Sequence, residues 1–133
     1  MLSKSIACSI LCGLLFVSVS LGTPSERYIV NSAFTVRASQ ARYWDFYTGQ
    51  DGARVLGRFR AEGGGGNDIE VYILDEDQFE NWMNGHRTST YYNSGRVTVA
   101  NINVNVPPGH FFLVFNNKYS ILTSKAVTAS VSF

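Results

Sequence analysis

The chain has 133 residues, with 11 basic and 10 acidic side chains and a formal net charge of +1. Binding to nucleic acid phosphates requires clustered Lys and Arg, so this near-neutral composition argues against a nucleic-acid-binding protein. The length is that of a single domain.

The first 22 residues have the features of an export signal. Lys4 supplies a positive start, residues 6–19 are an apolar core, and residues 20–22 include the small residues that a signal peptidase prefers. Polar and glycine residues interrupt the core, which is too short for a membrane span of about 20 residues. We therefore predict a cleaved signal at residues 1–22, a secreted or periplasmic protein, and no transmembrane segment after cleavage.

Both cysteines, Cys8 and Cys12, lie inside this signal. The mature chain, residues 23–133, is therefore expected to be disulfide-free. A secreted domain without disulfides has to be stabilised by an ordinary hydrophobic core.

Alternating apolar residues predict strands over residues 28–36, 42–47 and 53–61. In the second of these strands the alternation points Trp44 and Phe46 toward the core and places the residues between them outside or at a rim.

Glycines mark two positions in the next part of the chain. Gly57, in the middle of the third strand, predicts a bulge or a close approach of two backbones. The run Gly63 to Gly66 lacks the lysine and the following helix of a phosphate-binding loop, so a loop or hairpin connection is predicted there.

A strand and the only predicted helix follow. Residues 68–74 alternate as a strand with one face in the core. Asp75 and Gln78 then have the spacing of a capping box, and Phe79 and Trp82 follow at helical spacing. We predict a short helix that lies across one end of the sheet.

The last third of the chain predicts more strands. Residues 93–95 have the composition of a turn, and residues 96–106 have the pattern of one strand with a bulge or bend near Ala100 and Asn101. Residues 111–115 are apolar on both faces, as in a buried central strand, and residues 126–133 alternate as an edge or half-buried strand. Seven or eight short strands with one helix predict an all-β, antiparallel, jelly-roll type β-sandwich.

Three segments carry a resemblance to a known family: residues 68–73 (DIEVYI), residues 108–117 (PGHFFLVFNN) and residues 125–127 (KAV). Together they resemble the Golgi-dynamics (GOLD) β-sandwich. In that family a strand with the pattern Gly-x-aromatic-x-hydrophobic-x-Phe-x-Asn is followed by a Ser-containing corner and then by a Lys-x-Val strand. The likeness covers residues 55–133.

This resemblance implies a binding module that presents one sheet or loop end to a protein or lipid partner. GOLD domains of cargo receptors pair two cysteines and precede a coiled coil and a membrane span, which the mature sequence lacks, so a cargo-receptor role is not implied. A looser likeness to small sandwiches appended to secreted bacterial peptidases also implies an accessory role.

Two groups of side chains are candidate sites. Asp75, Asp77 and Glu80 offer oxygen ligands for calcium, although acidic residues at a helix start also cap free N–H groups. No other cofactor is expected. The second group is aromatic and can stack on sugar rings or contact a peptide, or else divide between core and rim. Its members are Tyr43, Trp44, Tyr47, Trp82, Tyr91 and Tyr92.

His86 and His110 are the only histidines, and each lies beside a glycine. No nucleophile motif accompanies either, so we expect both to be exposed turn residues rather than catalytic groups. The sequence thus predicts an exported, non-catalytic binding module with a protein as its first expected partner. The alternatives are a carbohydrate-binding module that uses exposed aromatics, and a small secreted hydrolase or its accessory domain.

Overall fold

The computed structural model describes residues 18, 22, 25–64 and 66–133. Apart from residues 18 and 22, the predicted signal lies outside the described residues. The described part contains eight strands and one helix. Their bounds are β1 Tyr28–Val36, β2 Ala41–Tyr47, β3 Ala53–Glu62, β4 Ile69–Asp75, α1 Glu76–Met83, β5 Tyr92–Val97, β6 Val99–Val106, β7 His110–Asn116 and β8 Lys125–Ser132.

The strands form two four-stranded antiparallel sheets packed face to face, which confirms the predicted all-β sandwich. Sheet 1 has the order β1-β8-β3-β6 and sheet 2 the order β2-β7-β4-β5. Phe59 and Val131 of sheet 1 and Phe111 and Phe115 of sheet 2 are almost fully buried between the sheets. The prediction that residues 111–115 form a buried central strand is confirmed, since β7 lies between β2 and β4.

Of the two descriptions predicted for the last strand, half-buried is confirmed and edge is not. β8 lies between β1 and β3 at the centre of sheet 1. Its alternation is real, because Val127 and Val131 are buried and Thr128 is exposed. Alternation reports which face is solvated and carries no information about how many neighbours a strand has. The close approach predicted at Gly57 is confirmed, since a Cβ there would collide with the carbonyl oxygen of Ser130.

Residues 91–106 differ most from expectation. The predicted turn at residues 93–95 lies inside β5, where Gly95 has φ +64° and the β4–β5 register shifts. The backbone N–H of Val71 donates to Ser94 Oγ at 2.8 Å, so the turn residues build an irregular strand instead. The chain then changes sheet at Thr98, slightly before the predicted bend at Ala100 and Asn101.

The helix forms where it was predicted and begins with the predicted capping box. The backbone N–H of Gln78 donates to Asp75 Oδ1 at 2.8 Å, and the backbone N–H of Asp75 donates to Gln78 Oε1 at 2.9 Å. However, α1 lies on the outer face of sheet 2 and not across one end. Phe79 stacks on Phe112 with ring centroids 3.9 Å apart and planes 7° from parallel. The apolar face of α1, which includes Phe79, packs on the outward ring of Phe112, and this contact explains why the helix lies on the outer face of sheet 2.

No helix among the described residues is long and apolar enough to cross a membrane. Cysteine is absent from the same residues, so this part of the sandwich is held together without a disulfide.

Candidate functional site

The six aromatic residues predicted to bind a ligand divide between two environments. Three lie on the outer face of sheet 2, namely Tyr43, Tyr47 and Trp82. The others pack, partly buried, against the core, namely Trp44, Tyr91 and Tyr92. The prediction that Trp44 faces the core while Tyr43 and Tyr47 face outward is therefore confirmed. The structure does not bring all six rings onto one surface.

The inward aromatics have structural partners. Trp44 contacts Phe115 edge-on, and Tyr91 contacts Phe111 in the same way. The hydroxyl of Tyr92 donates to the carbonyl oxygen of Asn101 at 3.1 Å, and burial raises the pKa of Tyr92. These contacts connect the strands to the core.

A groove of about 340 Å³ opens between the start of β1 and the end of β2. Its exposed walls are Tyr28 and Tyr47, which are 52% and 63% exposed. We call it the tyrosine groove, and it is lined by Arg27, Tyr28, Ile29, Asp45, Phe46, Tyr47 and Phe133. It thus combines two tyrosine rings with one carboxylate and one guanidinium group.

The apolar base of the groove is fixed by the closure of the sandwich. The ring of Phe46 lies 5.1 Å from that of Phe133, and Phe46 is buried. Arg27 and Phe133 exchange both backbone hydrogen bonds, at 3.3 and 2.9 Å. The two ends of the described sandwich are therefore paired beside the groove.

His110 lies behind the groove and contacts two of its residues. Its imidazole stacks on the Tyr47 ring, with centroids 4.1 Å apart and planes 5° from parallel. Nε2 lies 3.0 Å from Asp45 Oδ2, and Nδ1 lies 3.3 Å from Glu76 Oε1. The expectation that His110 is an exposed turn residue is wrong, because it is the first residue of β7 and its side chain is 17% exposed. His86, by contrast, is exposed as expected.

The contacts of His110 hold its ring in place. Both ring nitrogens lie against carboxylates of the protein, and Tyr47 stacks on one ring face. These contacts restrict the rotamers of Asp45 and Tyr47. Side chains held in this way lose less entropy when a ligand binds.

The acidic segment around Asp75 serves the helix in this structure. Asp75 is the N-cap, whereas Asp77 and Glu80 point into solvent in the first turns of α1. Within residues 25–64 and 66–133, no three His, Cys, Asp or Glu side chains converge in a group that can hold a metal ion. The calcium hypothesis stays a prediction, with helix capping as the role that is seen.

Tyr28 and Arg27 were not among the predicted site residues, and neither was Phe133. They reach Tyr47 because β1 pairs with β8, with Tyr28 opposite Ser132, and because the edge strands β1 and β2 adjoin across the sandwich. A local sequence pattern cannot predict which edge strands of two different sheets lie next to each other.

No protein-family model matches this sequence, and no curated protein shows significant similarity to it. The resemblance to GOLD sandwiches therefore stays an expectation, and functional inference depends on the geometry of the described residues.

Proposed function

We propose that the protein is an exported, non-catalytic binding module that recognises a glycan in the tyrosine groove. The observation that supports this is that two exposed rings, Tyr28 and Tyr47, line one groove together with Asp45 and Arg27. Tyrosine rings stack on the apolar faces of sugars while contributing a hydroxyl group.

The polar groups fit the same class of ligand. Asp45 contacts His110 through Oδ2 alone and is 55% exposed, so its other oxygen is available to accept hydroxyl donors. Arg27 supplies donors on the same groove. A volume of about 340 Å³ lies at the lower end of the range for small-molecule sites, so we expect one or two sugar units to fit.

Titration of a glycan panel, followed by the melting temperature and then by calorimetry, tests this proposal. A ligand that binds the folded state raises its melting temperature. For any sugar that binds, Tyr47→Ala should weaken affinity by about tenfold. Leu56→Ala is the matched control, because Leu56 is a similarly exposed apolar residue on the outer face of sheet 1.

Two outcomes contradict the proposal. One is a panel in which no glycan raises the melting temperature. The other is a sugar that binds with equal affinity to the wild type and to Tyr47→Ala, which would place its site elsewhere.

A protein partner is the second candidate, and a separate surface favours it. Tyr43 contacts Phe79 edge-on at 4.9 Å, and Met83 lies one helical turn beyond Phe79. Tyr43 and Met83 are 49% and 48% exposed. The GOLD resemblance, which implies a protein or lipid partner, supports this candidate as well. Loss of a partner in Met83→Ser but not in Tyr47→Ala would favour it over the glycan.

A further inference from the structure

The loop that joins β7 to β8 presents two adjacent aliphatic side chains to solvent. Ile121 is 79% exposed and Leu122 is 92% exposed, more than any other large apolar residue in the described part of the chain. Exposure of two neighbouring aliphatic residues is costly in water and is a common mark of an interaction site. We call residues 121 and 122 the aliphatic tip.

The backbone beneath the tip is anchored. The amide of Asn117, which is fully buried, donates to the carbonyl oxygens of Val36, Arg37 and Thr123 at 3.2, 3.2 and 2.9 Å. The hydroxyl of Ser120 donates to the carbonyl oxygen of Thr123 at 3.1 Å. These hydrogen bonds fix the backbone on both sides of residues 121 and 122. The loop conformation therefore holds the aliphatic tip in solvent.

Cationic side chains lie around the base of the tip. Lys118 Nζ lies 4.2 Å from the Trp82 ring centroid, and the Arg96 guanidinium lies 3.8 Å from that of Tyr119. Arg37 is the first residue after β1, and its backbone carbonyl oxygen accepts a hydrogen bond from the Asn117 amide. Among the described residues, none of these three cations forms a salt bridge.

Three carboxylates lie at the same end. Asp68 lies 3.1 Å from the buried Lys125 Nζ, and Glu62 lies 3.4 Å from Arg60. Glu70 accepts a hydrogen bond from Asn116 at 3.1 Å and is opposite Arg96 in the β4–β5 register. Arg37 and Lys118 are therefore the cations next to the aliphatic tip that have no carboxylate opposite them or in salt-bridge contact among the described residues.

We propose that this end of the sandwich binds the surface of an anionic lipid membrane, with Ile121 and Leu122 inserted among the acyl chains and with Lys118 and Arg37 facing phosphate groups. Shallow burial of a few apolar side chains together with cations at headgroup level is sufficient for reversible membrane binding. A specific protein interface buries about 800 Å² on each partner, far more than two aliphatic side chains provide.

Vesicle sedimentation tests the proposal, with the full chain and with vesicles of phosphatidylcholine that contain or lack phosphatidylglycerol. We expect binding to be stronger on the anionic vesicles and to weaken as salt is added, since the cations supply part of the affinity. Leu122→Ser should lower the partition coefficient by about tenfold, the effect expected for loss of one buried aliphatic side chain. Lys118→Gln should lower it by about fivefold on anionic vesicles only.

Leu56→Ser is the matched control, because it makes the same change at an exposed leucine of sheet 1. All variants share the same N-terminal segment, so differences between them report on the tip alone. Depth is measured independently with Leu122→Trp, whose emission should shift to the blue when anionic vesicles are added.

Equal partition of the wild type and Leu122→Ser would overturn the proposal, and so would an unchanged emission of Leu122→Trp. A protein ligand that requires Leu122, in a chain that does not bind vesicles, would also overturn it. Neither result bears on the tyrosine groove, which lies at the opposite end of β1.

Discussion

Asn117 is the residue whose replacement should destabilise this fold most sharply for the smallest change in shape. Its side-chain nitrogen contacts three carbonyl oxygens from two loops and the end of β1, and the residue is fully buried. Its Oδ1 has no hydrogen-bond partner among the residues that the structure describes. The amide orientation follows from these contacts, because the reverse would place Oδ1 against three oxygens.

Asn117→Asp keeps the size of the side chain and replaces the donor nitrogen by an oxygen. At least two hydrogen bonds are lost, at about 1 kcal/mol each, and stranded carbonyl oxygens add about 1–3 kcal/mol. We therefore expect a loss of about 3–5 kcal/mol at neutral pH, equivalent to a fall in melting temperature of at least about 10 °C for a domain of this size.

The measurement is urea denaturation followed by circular dichroism, with Asn105→Asp as control. Asn105 is exposed, so the same substitution there should change stability by less than about 0.5 kcal/mol. Part of the loss in Asn117→Asp should be recovered near about pH 4, because a protonated carboxyl group regains one donor. A stability equal to that of the control, at either pH, would refute the role assigned to Asn117.

Two further predictions concern the same end of the sandwich. Asp68→Asn should cost about 3 kcal/mol because it leaves the charge of Lys125, which is 3% exposed, without a counterion, whereas Lys125→Met should cost less. Urea denaturation that ranks the two variants the other way would contradict this reading of the pair. Burial, followed by the charge of Asp68, raises the pKa of Tyr119 from 10.0 to about 12. Between these values the unfolded chain loses a proton that the folded chain keeps, so stability is complete below pH 10.0 and falls as pH rises toward about 12. Thermal melts over this range should show a shallower decline for Tyr119→Phe than for the wild type, and parallel declines would argue against the shift.

Local features of the sandwich could be predicted from sequence, because they depend on residues close together in the chain. The outward phase of Tyr43 and Tyr47 follows from alternation alone, and the capping box of α1 follows from the spacing of Asp75 and Gln78. Both features need only the geometry of one strand or one helical turn.

Neighbour relations could not be predicted in the same way. Nothing in the pattern of β8 distinguishes an edge strand from the central strand that it is. The turn-like residues 93–95 became an irregular strand because Val71 offers a donor to Ser94, a contact between residues far apart in sequence. The helix lies on sheet 2 because Phe112 presents an outward ring to Phe79, which alternation in an apolar strand does not reveal.

The two candidate surfaces lie at opposite ends of the first strand. Tyr28, at the start of β1, lines the tyrosine groove, and Val36, at its end, accepts a hydrogen bond from Asn117 beneath the aliphatic tip. Eight residue steps at about 3.3 Å each separate these ends by about 26 Å. A sandwich that rests on a membrane through its tip therefore holds the groove away from the lipid, open to solvent. Because neither surface covers the other, a ligand in the groove and a lipid surface at the tip can be bound by one molecule at the same time.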